Sequence, residues 1–346
     1  MSLPLNLYDQ QRRNLGRTRL FLAAFVLLLT LLGLGADGFL YGAGGSPGIP
    51  FCTIGALAFG GLSAWWSLHE GDKAVLQSAT ARPIDPRDPR EKMLDNVAEE
   101  MAIAAGLPKP RVYVIPDSDP NAFATGSGPD RAAIAVTRGL LDKLDRDELQ
   151  AVVAHEMSHV RNYDIRLMTV VAALAGAVLL ISDWTRRGLR WGGVRRSGKD
   201  RGGGGLAGLV LLGLWLLSLI LAPLIARLVA MAVSREREFL ADASGSELTR
   251  DPLALASALE KIDAAVEPTP SIKQGVAHLC IADPLGRAAN QSSAWWAGLL
   301  ATHPPIARRV AILREIGYRG GAAPVPRAAG PAPVSPPRTG GSPAQR

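Results

Sequence analysis

Apolar residues are laid along this chain in two different patterns. In four stretches they run on without a charged residue: 20–36, 49–68, 167–182 and 206–226. Each approaches the roughly 20 residues that a helix needs to cross a bilayer. The second ends in Trp65 and Trp66, a residue type favoured at membrane interfaces, and the fourth contains Pro223, which a membrane helix tolerates better than a soluble one. Gly and Ala recur in all four, so their faces can pack closely. The competing reading is a set of buried helices in a large soluble core. It is weakest for the first two stretches, because such long uncharged runs are rare in soluble folds.

Outside these stretches the pattern suits water. Residues 92–105 carry helical periodicity and stop at Gly106 and Pro108. Residues 112–115 and 132–136 read as short strands, with a turn-rich segment, 117–130, between them. Asp145 followed by Glu148 makes a capping box, which starts a helix running through Val160. From Gly320 onward Pro, Gly and Ala alternate with scattered Arg and no period, so a disordered tail is expected over 320–346.

A hydrophobic content of 48% excludes an intrinsically disordered chain, and two cysteines, Cys52 and Cys280, exclude a disulfide-stapled scaffold. The net charge of +7 would suit nucleic acid or an anionic membrane, and its distribution decides between them. Basic residues flank the apolar stretches and are not interleaved with aromatic platforms, so no nucleic-acid partner is expected. Arg12, Arg13, Arg17 and Arg19 precede the first stretch, while 37–47 has no Lys or Arg. The N-terminus therefore stays inside and 69–165 faces the cytoplasm. The first stretch also has the form of a signal peptide, with Gly35-Ala36-Asp37 as a weak cleavage region; the second would then stop transfer, leaving this orientation unchanged. The basic loop from Arg186 to Arg201 opposes the plan, because a regular hairpin would export it. Four spans are expected, with a shallow re-entrant hairpin as the alternative for the last pair.

The chemistry lies at His155-Glu-Met-Ser-His159. His155 and His159 sit one turn apart on one helix face, where both imidazoles can reach one metal ion, and Glu156 can hold a metal-bound water without ligating. Only five histidines occur in the chain, and Val152, Val153 and Val160 flank these two, which disfavours two ordinary surface histidines. A third histidine at the long spacing is absent, since Asn162 and Ile165 stand where that arrangement needs Gly and His. A carboxylate from another helix is the better candidate. Glu238 and Asp242 are spaced i, i+4 just after the fourth stretch, so one can ligate and the other can hold a ligand imidazole. The bland alternative is an exposed charged helix with Arg235 and Arg237 as partners. At about 1.5 Å per residue, both ligand helices lie within roughly 10 to 20 Å of the bilayer.

Residues 80–165 and 230–320 resemble the HtpX-type membrane zinc metalloproteases, relatives of the integral-membrane prenyl-protein proteases. The resemblance rests on Gly106-Leu-Pro-Lys-Pro-Arg-Val-Tyr-Val, Asn121-Ala-Phe-Ala-Thr-Gly126, His155-Glu-Met-Ser-His159, Arg237-Glu-Phe-Leu-Ala-Asp242 and Thr302-His-Pro-Pro305. It implies a gluzincin endopeptidase with one Zn2+ per chain, held by His155, His159 and Glu238, with Glu156 as general base. It also implies that Asp242 orients His155, that His303 stabilises the oxyanion, and that Asn121, Ala122, Phe123 and Ala124 line the substrate cleft. Without it, 121–124 reads as a turn-flanked loop and His303 as a histidine in a Pro-fixed turn. His69 and His278 read as structural or solvated.

The expected fold is an α-rich α+β integral membrane protein with a zincin-like catalytic domain and about four transmembrane helices. Residues 1–19 form a cytoplasmic N-terminus, 20–68 a first transmembrane hairpin, and 69–164 the first part of the catalytic domain. Residues 165–233 form a second hairpin with a basic Gly-rich loop at 183–205, 234–319 the second catalytic part, and 320–346 the tail. The activity that the resemblance implies is hydrolysis of misfolded or damaged membrane proteins at the cytoplasmic face of a bacterial inner membrane, with polypeptide substrates and the lipid bilayer as partners. Two alternatives compete with it: C-terminal processing of prenylated proteins, and a non-catalytic scaffold whose basic loop binds anionic lipid.

Overall fold

The structure, a computed structural model, describes residues 7–42, 49–174, 235–265, 271–272, 277–282 and 304–319. The chain begins with two long helices, α1 (Leu7–Gly42) and α2 (Phe51–Ser78). Both are long and apolar enough to cross a membrane, and among the described residues they are the two that meet this test. The hairpin is fastened at its closed end by Asp37, whose carboxylate accepts from the backbone N–H groups of Cys52 (3.0 Å) and Thr53 (2.8 Å). Pro50 at the start of α2 has no side chain to do this, so α1 caps the exposed donors of its neighbour. Of the third apolar stretch, 167–174 is helical and buried. Residues 175–182, the fourth stretch, the basic loop and the tail lie outside the described residues.

The polar part is built on a four-stranded sheet of β1 (Arg82–Pro83), β2 (Arg111–Ile115), β3 (Ala122–Thr125) and β4 (Ala133–Thr137), in spatial order β1-β2-β4-β3. β2 and β4 are parallel, and the other two pairings are antiparallel. The two faces of the sheet meet different partners. Val112, Val114, Ile134 and Val136 join the main core with the helices α3 (Pro89–Ala105) and α5 (Arg146–Arg161). Ile115, Phe123, Ala133 and Ala135 face the other way, against Val75, Leu76 and Ala79 at the end of α2 and against Met168 and Ala172. The alternation is the two-residue period of a pleated strand, and covering both faces makes β4 buried throughout.

Two sequence expectations change. The turn-rich segment 117–130 contains β3, whose four residues are all buried. A four-residue strand buried on both faces shows no polar alternation, so its sequence carries no strand signature. The helix expected from residue 92 begins three residues earlier, at Pro89, because the Asp88 carboxylate caps Arg90 N and Glu91 N and proline suits the first helical position. It ends at Gly106, whose φ of 65° is readily adopted only without a side chain.

After β4 come the short α4 (Arg138–Lys143) and then α5, capped by the reciprocal bonds of Asp145 and Glu148. Residues 164–174 form α6, whose Leu167, Val170, Val171 and Leu174 pack on Phe21, Phe25 and Leu29 of α1. Next in the described chain are α7 (Arg235–Thr249), α8 (Pro252–Asp263) and α9 (Ile306–Arg319). Glu148 does more than cap. Fully buried, it accepts from Lys261 Nζ (2.6 Å) and Ser257 Oγ (2.7 Å), tying α5 to α8.

Burial alone would raise the Glu148 carboxyl, but the bonds from Lys261, Asp145 N and Ser257 outweigh it and keep its pKa below the ordinary value. A lowered folded pKa means stability present above the unfolded pKa of about 4.3 and lost as pH falls through the folded value. Glu148→Ala should cost about 2 kcal/mol at neutral pH, as expected for buried charge-assisted bonds, with the deficit shrinking below about pH 4. Thermal melting of the detergent-solubilised protein across that range would measure both.

Candidate metal centre

The central part of α5 is buried on every side, and His155, Glu156 and His159 are 1%, 2% and 6% exposed. The two imidazoles stand one turn apart, ring centroids 4.9 Å apart and planes nearly perpendicular. α7 lies directly against this face. A Cβ on Gly245 would fall 2.9 Å from His155 N and 3.0 Å from its Cα, so only glycine lets the two helices approach this closely. The approach places Glu238 Oε2 3.7 Å from His155 Nε2 and Glu238 Oε1 3.6 Å from His159 Nε2. One ligand atom from each of His155, His159 and Glu238 lies within 4.8 Å of the other two, a grouping able to hold a metal ion.

Each histidine is gripped from behind by a carboxylate. Asp242 Oδ1 is 3.0 Å from His155 Nδ1, and Asp164 Oδ2 is 3.3 Å from His159 Nδ1. With both Nδ1 atoms so engaged, the two Nε2 atoms face the Glu238 carboxylate, and this donor set fits a metal with two imidazole ligands and one carboxylate. Arg237, a surface partner only in the alternative reading of this helix, is largely buried, its Nη1 3.5 Å from Asp164 Oδ1.

Arg309 of α9, which sequence reasoning passed over, is the other cation of the site and has no exposed surface. It donates to both oxygens of Asp242 (Nε to Oδ2 2.8 Å, Nη2 to Oδ1 2.6 Å). Its Nη1 lies 3.3 Å from Glu238 Oε2 and donates to the Ile281 carbonyl at 3.2 Å. A signal for it exists in the sequence: Arg309 falls on the same helix stripe as Ile306, Val310 and Leu313, where a solvated arginine would not sit. Asp164, five residues after His159, was passed over too, and nothing in its spacing announces that the chain turns back beneath the ring.

Electrostatics follow from this packing. Burial pushes Glu156 up, with Glu238 adding to the effect and His159 opposing it, to a pKa of about 7. Burial works against a charged His159, but the bond to Asp164 and the charges of Glu238, Asp164 and Glu156 prevail and carry it up to about 9. Burial holds His155 down. Asp242 is buried as well, yet Arg309 and His155 keep it well below the ordinary carboxylate range.

β3 is the strand beside the site. The Ala124 backbone N–H faces the Glu156 carboxylate and works against the rise in its pKa. Asn121 is fully buried, its Nδ2 donating to Ala282 O (3.1 Å), and Ala122 O accepts from Ile281 N (2.9 Å). Phe123 packs on the opposite sheet face, toward α2. Ala124 thus borders the site, Asn121 and Ala122 meet residues 281–282, and Phe123 points away. His303 lies outside the described residues. His69 stacks on Trp65, and His278 Nε2 lies 3.3 Å from the Met168 carbonyl.

Residues 88–317 match the family model described as Peptidase family M48. Among curated proteins, a "Protease HtpX homolog" from Thermoanaerobacter pseudethanolicus is 41% identical over 90% of this chain and 98% of its own length. Those from Caldanaerobacter subterraneus and Lactiplantibacillus plantarum are 42% and 44% identical over 90% of this chain and 98% and 100% of their own. A more distant likeness, to the crystal structure of S. mikatae Ste24p, has a TM-score of 0.44 at 17% identity over 88% of this chain and 67% of that one.

Gly245→Ala should push α7 away from His155, because the atoms it meets are backbone and cannot rotate aside. The expected result is a clear loss of affinity for divalent metal in chelator competition. Unchanged affinity would show that the α5–α7 approach does not set the site.

Proposed function

Because the chain belongs to peptidase family M48 and aligns along nearly its whole length with HtpX proteases, we propose that it is a membrane-bound zinc endopeptidase of the gluzincin type, with His155, His159 and Glu238 as ligands and Glu156 as general base. The observation that carries the reading is the convergence of those three ligand groups, each buried, with Glu156 beside them. Two imidazoles and one carboxylate with a position left open are the donor set of catalytic zinc. Bound there, zinc would polarise the scissile carbonyl and lower the pKa of the attacking water from ~15.7 toward ~7.

The remaining work falls to the chain. Glu156 takes the proton from the attacking water and delivers it to the leaving amine, and its elevated pKa suits a group that must do both near neutrality. Asp242 and Asp164 hold the histidine tautomers, and Arg309 balances the charge of Asp242 and Glu238. Asn121, Ala122 and Ala124 are proposed to line the substrate cleft, and His303 is the proposed donor to the oxyanion.

Substrates are misfolded or damaged membrane proteins, presented at the cytoplasmic face of a bacterial inner membrane. Arginines at the start of α1 and a polar domain joined to the same end of the hairpin support this orientation. Two further spans, from the third and fourth apolar stretches, complete the proposed membrane domain.

Glu156→Gln should retain stoichiometric zinc and lose cleavage of an unfolded membrane substrate by about 10²–10⁴-fold, the usual contribution of a positioned acid–base group. Glu238→Ala should lose zinc on metal analysis. Cleavage by the Gln variant at the wild-type rate would overturn the mechanism. The pH profile adds a third check. A bound divalent cation brings two charges beside Glu156 while the ligated, neutral His159 withdraws one, so the Glu156 pKa should fall from about 7 and kcat/KM should rise with pH through a limb at or below neutrality as the carboxylate ionises. A limb clearly above pH 7.5 would exclude Glu156 as the titrating base.

A further inference from the structure

We propose that Asn14, on the first membrane helix, is a positioning residue of the metal centre: its amide fixes Asp164, and Asp164 fixes the ring of His159. This inference rests on the metal-ligand reading above. α1 is the helix that enters the bilayer, yet Asn14 near its start is only 5% exposed. The two protons of its Nδ2 are both used, one on Asp164 Oδ1 at 2.7 Å and one on the Asn162 carbonyl at 2.9 Å. One turn earlier Gln11 Nε2 donates to the Arg161 carbonyl at 2.8 Å.

Those carbonyls stand at the C-terminal end of α5, where a helix runs out of partners for its last C=O groups. α1 therefore caps the helix that carries the histidines. Between α5 and α6 the chain reverses at Tyr163, whose φ of 58° is left-handed, and this turn brings Asp164 back beneath His159. Asn14 bonds the turn at its backbone and at its side chain. The Asp164 carboxylate is held between two directional contacts, Oδ1 by Asn14 and Oδ2 by His159 Nδ1. Arg237 also approaches Oδ1, but at 3.5 Å, so it supplies charge, whereas the short bond that sets the angle of the carboxylate comes from Asn14. With Nδ1 engaged by Asp164, Nε2 of His159 faces Glu238. The His155 arm, held by Asp242 and Arg309, does not depend on α1.

The docking of the membrane hairpin thus enters the geometry of one metal ligand. The test is zinc affinity by chelator competition on full-length, detergent-purified protein: wild type, Asn14→Ala, Asn14→Leu, Asp164→Ala and the Asn14→Ala/Asp164→Ala double variant. Loss of a partner behind a ligating histidine typically weakens metal binding about 10- to 100-fold, and that is expected for Asn14→Ala. Because Asn14 acts through Asp164, the double variant should bind no more weakly than Asp164→Ala alone. Affinity within twofold of wild type in Asn14→Ala, or losses that multiply in the double variant, would overturn the proposal. Asn14→Leu keeps the volume without the donors, so it reads the same loss if the alanine variant does not fold. Failure of the metal reading looks different, because wild type itself would then bind no stoichiometric zinc.

Discussion

Inside this protein a guanidinium, two imidazoles and several carboxylates are packed together with almost no access to water. An unpaired buried charge costs several kcal/mol, a large part of the whole stability of a domain, so each of these groups has to find its counter-group. That demand decides which helices touch. Arg309 joins α9 to Asp242 and Glu238 of α7 and to the backbone at Ile281, and Asp242 in turn grips His155 of α5. The apolar core around them, from Leu149 and Met157 to Leu255 and Leu313, supplies the driving force but has no direction of its own. The ion pairs supply the direction.

The cluster of His155, His159 and Glu238 is also where the polar and apolar halves of the molecule are joined. The sheet is covered on one face by α3 and α5 and on the other by the end of α2 and by α6. α6 follows the histidine helix after one reversed turn and then lies against α1. No flexible linker separates a catalytic unit from an anchor among these elements. α1 reaches past the apolar stretch to cap α5, so the position of the hairpin and the position of His159 are parts of one packing arrangement.

β3 illustrates how the surroundings give a short segment its meaning. Ala122 to Thr125 pairs with β4 on one side, while on the other its backbone groups meet Ile281 and the Glu156 carboxylate. The same four residues in isolation would have no reason to be extended. Sandwiched between a buried strand and the histidine helix, they have no other way to satisfy their backbone hydrogen bonds.

The sequence by itself determined what is local. The apolar stretches define α1 and α2 because a run of side chains that avoids water needs no partner to declare itself, and the Asp145–Glu148 box starts α5 because a cap acts within one turn. The i, i+4 spacings placed His155 with His159, and Glu238 with Asp242, on common helix faces, since helical period is a property of the backbone alone. Only the tertiary structure decided which carboxylate stands behind which imidazole, that Arg309 is the buried counter-charge, that Asp164 and Asn14 are bonded in line behind His159, and that β3 is a strand. Each of these depends on contacts between residues far apart in the chain, such as Asn14 with Asp164 or Asp242 with Arg309, and no local propensity encodes them. They follow from the need to bury apolar surface while leaving no charge unmatched, a condition that only the whole fold can meet.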